Sequence, residues 1–140
     1  MQVRDAMAKT FSVASPDDEI VQVARLMKKE DCGFIPIVNG NHLIGVVTDR
    51  DIVIRCLADG HTDVLSETAR HVMSTADIQT VAPDDDLETA AGIMNREEVR
   101  RLAVVEDGRL VGVLSHGNLV QAVQGEGPAK QATVGVTRGA

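Results

Sequence analysis

Residues 16–55 read PDDEIVQVARLMKKEDCGFIPIVNGNHLIGVVTDRDIVIR, and residues 83–122 read PDDDLETAAGIMNREEVRRLAVVEDGRLVGVLSHGNLVQA. The two stretches align without a gap at an offset of 67, and eleven of the forty aligned positions are identical. Self-similarity at a fixed spacing is the signature of a duplicated structural unit. We call residues 16–55 copy 1 and residues 83–122 copy 2.

Both copies predict the same elements in the same order. Each has an apolar face at helical spacing, which predicts a first helix that begins at its proline, Pro16 or Pro83, because Ser15 suits the N-cap and proline suits the first helical position. Alternating apolar residues around Asn39-Gly40-Asn41 and Asp107-Gly108 predict two β-hairpins. A second helix follows each hairpin, at about 49–58 and 116–124.

The repeated unit is therefore strand–helix–strand–strand–helix, which places the chain in the α+β class. One copy would have a marginal core, whereas two copies packed with pseudo-twofold symmetry make a sensible domain. The predicted boundaries are 1–60 for repeat 1, 61–72 for a connector, 73–124 for repeat 2 and 125–140 for a flexible C-terminal tail.

Composition excludes several classes of function. The net charge of −7 and the presence of only two aromatic residues argue against binding to nucleic acid. No apolar run approaches the ~20 residues of a membrane span, and no signal peptide is expected. Cys32 and Cys56 have no metal-site spacing and are expected to be free thiols in a reducing compartment, which predicts the cytoplasm.

The sequence predicts neither an enzyme nor a metal site. Its four histidines are scattered and form no HxxH or HExxH motif, and no phosphate-binding or nucleophile motif is present.

The two copies resemble CBS domains, named after cystathionine β-synthase. The resemblance lies in VASPDDEIVQVARLMKKEDCGFIPIV with LIGVVTDRDIV, and in TVAPDDDLETAAGIMNREEVRRLAVVEDGRLVGVLSHGNLV. It covers nearly all of the chain from Met7 to about Val123, and the chain is similar to stand-alone CBS-pair proteins of bacteria. The resemblance implies two β-α-β-β-α CBS repeats that form one pair, a homodimer and no required cofactor. It also implies a cleft between the repeats that binds AMP, ADP, ATP or S-adenosylmethionine as a regulatory ligand, and an effector protein that the sequence does not identify.

The resemblance assigns ligand contacts to GVVTDRD, residues 45–51. It implies that Thr48 meets a phosphate and that Asp51 accepts hydrogen bonds from the two ribose hydroxyls, as a carboxylate can. Thr48-x-x-Asp51 is also the spacing of a helix capping box, and that alternative stays open. Arg50 is a candidate phosphate partner or a solvated arginine at the helix start.

Copy 2 departs from this motif because it has Ser115 and Asn118 in place of the threonine and the aspartate. Serine can replace threonine. Asparagine is neutral and presents one acceptor oxygen instead of two, so the second site is expected to be weak or empty.

Two basic residues, Arg100 and Arg101, precede the second hairpin. The resemblance implies that a basic residue here reaches the ligand phosphates, and Arg101 is the preferred candidate. The alternative is that the two arginines pair with Glu97, Glu98 or Asp107 on a solvated face.

Four residues correspond to the strands between which CBS proteins usually hold adenine: Val13, Ile35, Pro36 and Thr80. Simple core packing is the alternative for these residues. Taken together, the sequence and the resemblance predict a non-catalytic regulatory module that binds an adenosine-type ligand. The other hypothesis is a ligand-free protein-interaction or stress-response dimer.

Overall fold

The computed structural model describes residues 1–60, 63–76 and 78–125. In chain order its elements are α1 (Val3–Ala6), α2 (Ile20–Glu30), β1 (Phe34–Asn39), β2 (His42–Thr48), α3 (Asp49–Asp51) continued by a π-helix (Ile52–Leu57), a 3₁₀ turn (Val64–Ser66), α4 (Ala69–Val72), β3 (Thr80–Val81), α5 (Leu87–Glu97), β4 (Arg101–Glu106), β5 (Arg109–Ser115) and α6 (His116–Val123). Within this part of the chain, no helix is long and apolar enough to cross a membrane.

The chain forms two compact units. Residues 12–78 form one, which contains copy 1, and residues 1–11 form the other together with residues 79–125, which contain copy 2. Both units combine helices and strands, which confirms the α+β class. The boundaries predicted from the repeat stay predictions, and the predicted tail after residue 125 lies outside the described residues.

The copy 1 unit is built on an antiparallel hairpin of β1 and β2, in which Phe34 lies opposite Thr48. A single parallel bridge joins Ala14 to Ile37 and takes the place of the predicted first strand. Helix α2 covers the hairpin because its apolar face packs against inward side chains of both strands. The buried core comprises Ala14, Val23, Met27, Ile35, Ile37, Val47 and Ala69.

The copy 2 unit repeats this plan. Strands β4 and β5 are antiparallel, with Arg101 opposite Ser115. Strand β3 pairs with β4 in parallel, and Thr80 is the partner of Ala103. The buried core comprises Val3, Val81, Leu87, Ala90, Met94, Leu102, Val104 and Leu114.

Each unit is completed by a short helix that precedes the other copy in sequence. Helix α1 lies in the copy 2 unit, where the amide of Val3 donates to the carbonyl of Asp85 at 2.8 Å. Helix α4 lies in the copy 1 unit, where the amide of Ala69 donates to the carbonyl of Asp18 at 2.9 Å. The short helix that precedes each copy in sequence therefore packs in the unit that contains the other copy.

The prediction that the first helix of each copy begins at its proline is wrong. Helix α2 begins at Ile20 and α5 begins at Leu87, four residues after Pro16 and Pro83 respectively.

The four residues before α2 form a turn of their own instead of a first helical turn. The amide of Asp18 donates to the carbonyl of Ser15 at 3.0 Å, and the Asp18 carboxylate accepts from the amide of Ser15 at 2.9 Å. The carbonyl of Pro16 accepts from the amide of Arg70 in α4 at 2.9 Å. It therefore bonds to a neighbouring helix instead of to an amide of α2. The apolar period alone could not reveal this tertiary use of the backbone.

Both predicted hairpins are present. The loop of the second is Asp107-Gly108, with φ of 53° and 79°, the left-handed region that such residues tolerate. In the first hairpin Asn39 still pairs with His42, so the loop is Gly40-Asn41 and only Gly40 has a positive φ, 63°.

The second helices differ between the copies. In copy 1 the amide of Ala58 donates to the carbonyl of Val53, five residues back, at 2.8 Å. In copy 2 the amide of Gln124 donates to the carbonyl of Val120, four residues back, at 2.9 Å. A wider turn changes which side chains share a face of the helix. Val53 is 53% exposed, whereas the aligned Val120 is 8% exposed.

Candidate ligand-binding site

Thr48 and Asp51 lie where β2 ends and α3 begins. The Thr48 side-chain oxygen accepts from the amide of Asp51 at 3.1 Å, and the amide of Thr48 donates to Oδ2 of Asp51 at 2.9 Å. These two bonds form a reciprocal capping box, so the capping alternative describes a real contact. The cap does not exclude ligand binding, since it occupies only one of the two carboxylate oxygens.

The second oxygen of Asp51 is the group of interest. Oδ1 lies 3.7 Å from Nε of Arg55, which is longer than a hydrogen bond. Among the described residues, no hydrogen bond reaches this oxygen, and the Asp51 side chain is only 13% exposed. A carboxylate oxygen that accepts no other hydrogen bond can accept one from a hydroxyl group.

Copy 2 has the same cap without the charge. The amide of Ser115 donates to Oδ1 of Asn118 at 3.0 Å, and the amide of Asn118 donates to Oγ of Ser115 at 2.9 Å. The remaining polar group of Asn118 is an NH₂ donor, so this side chain has no second oxygen for a hydroxyl donor. The two sites therefore share a backbone arrangement and differ in chemistry.

The residue opposite each cap also differs between the copies. Phe34 faces Thr48 across the copy 1 hairpin, and Arg101 faces Ser115 across the copy 2 hairpin. Arg101 is partly buried, and its Nε is enclosed with no hydrogen-bond partner in the portion of the chain that the structure describes. A buried guanidinium N–H without a partner is costly and suits an anionic ligand group.

Arg50 lies on the surface, directly before Asp51. Its side chain is exposed, its amide donates to the carboxylate of Asp49 at 2.8 Å, and it borders a shallow depression with Val53 and Ile54. Arg50 stays a candidate phosphate partner, with a solvated arginine at the helix start as the alternative.

The four candidate adenine residues fall into two groups. Ile35 and Pro36 are fully buried, and Ile35 is part of the copy 1 core, so core packing accounts for it. Val13 is 39% exposed and Thr80 is exposed. Because Ala14 pairs with Ile37 in parallel, Val13 lies beside Pro36 on the neighbouring strand.

Sequence reasoning did not assign a role to Arg55. Its position four residues after Asp51 was the available signal, since opposite charges at this spacing face each other on a helix.

An open cleft in the copy 2 unit was also missed. Its volume is about 430 Å³, and it is lined by α5, α6 and the residues just before β4, with Arg100 and His116 among the lining residues. The aligned residues in copy 1 are Gly33 and Asp49. A Cβ atom on Gly33 would lie 2.5 Å from Oδ2 of Asp49, so that carboxylate occupies the space beside the glycine.

The thiol of Cys56 is fully buried beside Ile20 and Val72. Burial raises its pKa, and the nearby carboxylate of Glu67 raises it further. A thiol in this setting stays protonated and unreactive at neutral pH, which is typical of a structural cysteine.

Comparison with known proteins decides the family. The model of the CBS domain matches residues 3–57 and again residues 69–125. This chain belongs to the CBS domain family. Each match contains one of the two copies, which confirms the repeat that the sequence predicts.

Two curated relatives match most of this chain over most of their own length. The CBS domain-containing protein YhcV of Bacillus subtilis is 38% identical over 120 residues, which cover 84% of this chain and 81% of that protein. Hypoxic response protein 1 of Mycobacterium tuberculosis is 30% identical over 122 residues, which cover 84% of this chain and 82% of that protein. The predicted similarity to stand-alone bacterial CBS pairs is confirmed.

Solved structures also match this fold, and two of them contain a bound ligand or metal ion. The structure of CBSX2 in complex with AMP has a TM-score of 0.77 at 27% identity, over 89% of this chain and 96% of that chain. The structure of hypoxic response protein I, with two coordinated zinc ions, has a TM-score of 0.78 at 29% identity, over 86% and 98%. In the described part of the present chain, no group of three histidine, cysteine or acidic residues is placed to hold a metal ion.

Proposed function

We propose that this CBS pair is a non-catalytic regulatory module that binds an adenosine-type ligand and passes the signal to a partner protein. The observation that carries the proposal is the Asp51 carboxylate: one of its oxygens accepts from the Thr48 amide at 2.9 Å, and the second accepts no hydrogen bond from the described residues. That oxygen matches the chemistry of a ribose hydroxyl donor. The complex of the related CBSX2 with AMP supports this class of ligand.

The proposal gives the two copies different roles, because their polar side chains differ. Asp51 in copy 1 would read the ribose through its carboxylate, with Thr48 beside it. Arg101 in copy 2 would meet phosphate, because its enclosed Nε lacks a partner among the described side chains. Asn118 offers no carboxylate, so we propose one strong ribose-reading site in the pair.

We also propose that the module acts as a homodimer in the cytoplasm. Three apolar side chains on the π-helical segment of copy 1, Val53, Ile54 and Leu57, are 45–54% exposed, which is unusual for residues of this kind and suits a protein contact. The two cysteines are free thiols, as a reducing compartment would leave them. The same surface favours the second candidate function, a ligand-free interaction or stress-response dimer.

Calorimetric titration with AMP, ADP, ATP and S-adenosylmethionine separates the two candidates. The wild-type protein should bind at least one of these ligands saturably, and Asp51→Ala should weaken that binding by about 1.4 kcal/mol or more, a factor of ten. The matched Asn118→Ala variant should bind almost as well as the wild type. A folded wild-type dimer that binds none of the four ligands would leave the interaction module as the function.

A further inference from the structure

We infer that Arg55 is a positioning residue for the Asp51 carboxylate, an inference that rests on the function proposed for the copy 1 site. Arg55 lies one turn after Asp51, in the π-helical segment, with Nε 3.7 Å from Oδ1. The Arg55 side chain is 49% exposed and that of Asp51 is 13% exposed. The cation thus lies at the outer side of a mostly enclosed anion.

A second contact fixes the guanidinium group. Its Nη1 donates to the carbonyl of Met73 at 3.4 Å. That carbonyl belongs to a well-anchored segment, because Val46 and Ser74 exchange two backbone hydrogen bonds of 3.0 and 2.8 Å. The rigid planar fork of arginine is therefore held between the carboxylate and a fixed piece of backbone.

This geometry orients the Asp51 carboxylate and leaves its Oδ1 without a hydrogen bond from Arg55. At 3.7 Å the guanidinium attracts Oδ1 but makes no hydrogen bond to it, so the lone pairs of that oxygen remain available to a ligand. The attraction favours the rotamer in which Oδ2 faces the amide of Thr48. Arg55 therefore acts on a ribose through Asp51.

Copy 2 is an internal control for this assignment. The residues aligned with Asp51 and Arg55 are Asn118 and Ala122, so the acid and the base are absent together. The cap of copy 2 nevertheless has bonds of 3.0 and 2.9 Å, as short as those of copy 1. The cap consequently needs no cation, and a purely structural role for Arg55 in the cap is not required.

The test measures binding of adenosine and of AMP by calorimetry, in wild-type and Asp51→Asn backgrounds. Arg55→Met keeps the aliphatic stem and removes the charge, Arg55→Lys keeps the charge, and Arg25→Met removes a charge from an exposed position of α2 in the same unit. Arg55→Met should weaken both ligands about threefold to fivefold, the range for a partly exposed ion pair. Lysine should restore part of the loss, Arg25→Met should change nothing, and the loss should disappear in the Asp51→Asn background.

Adenosine and AMP are used together because only AMP has a phosphate. A loss confined to AMP would make Arg55 a phosphate contact and overturn the inference, as would an equal loss in the Asp51→Asn background. Normal binding by Arg55→Met would overturn the inference alone. Failure of the wild type to bind either ligand would overturn the proposed function and the inference with it. Circular dichroism establishes that each variant is folded.

Discussion

Copy 1 and copy 2 have nearly the same backbone arrangement but different polar side chains at corresponding positions. Both have a covering helix of eleven residues, a hairpin with the same register and a reciprocal cap at the end of the second hairpin strand. The caps differ by a single charge, Asp51 against Asn118, and the residues opposite them are Phe34 and Arg101. The two copies therefore share what the fold needs and differ at the positions that we propose to face a ligand.

The glycine within each second hairpin strand shows what the fold needs. A Cβ on Gly45 would lie 2.7 Å from the sulfur of Met73, and a Cβ on Gly112 would lie 2.6 Å from the sulfur of Met7. In both units the segment that crosses the glycine is the one that precedes the other copy. The backbone carbonyl oxygens of Ser74 and Ala8 would each lie 3.1 Å from the corresponding Cβ atom, so close approach of two backbone segments explains this glycine in both copies.

The largest expected effect tests whether the two cores are equivalent. Ile35→Ala in the copy 1 unit and Leu102→Ala in the copy 2 unit remove aligned, fully buried side chains. Each should lower the free energy of unfolding by about 2–5 kcal/mol, from lost burial and from the cavity left behind. Urea unfolding measures both, and a large loss in one variant with none in the other would contradict equal cores.

The next effect tests the asymmetry of charge. Arg101→Met removes the guanidinium that faces Ser115 and should weaken AMP binding about tenfold, or 1.4 kcal/mol, while adenosine binding stays nearly unchanged. Arg109→Met, at an exposed position on the same hairpin, is the matched control and should leave both affinities intact. Equal losses for AMP and adenosine would show that Arg101 does not read phosphate.

The smallest effect tests the feature that the copies share. Thr48→Ala and Ser115→Ala each remove one oxygen from a capping box and should each cost about 1 kcal/mol of unfolding free energy. Thermal unfolding without ligand compares the two directly. A cost at one position only would indicate that the two caps are not equivalent.

The sequence predicted the repeat, both hairpins and the family because each is encoded locally, in spacing and in turn residues such as Asp107-Gly108. It failed at the helix starts, since the carbonyl of Pro16 is committed to Arg70, a partner far along the chain. The π-turn after Asp51 was equally out of reach, because no residue type specifies it.

The candidate site was predicted less completely than the fold. Thr48 and Asp51 were identified, and the structure places them in contact, but spacing could not say that one carboxylate oxygen remains open. Arg55 was missed because its role depends on a contact with the carbonyl of Met73, eighteen residues away. Contacts between distant residues are the part of a site that a single sequence does not reveal.

A single substitution that gives copy 1 the residue of copy 2 tests the central claim. That claim is that the Asp51 carboxylate makes copy 1 the site that binds the ribose. Asp51→Asn gives copy 1 the capping pair type of copy 2, whose hydrogen bonds are as short, so the fold should persist. Calorimetric titration with AMP should then give an affinity at least about tenfold lower than that of the wild type, with unfolding free energy nearly unchanged. Wild-type affinity in the Asp51→Asn protein would contradict the account and leave the carboxylate as no more than a helix cap.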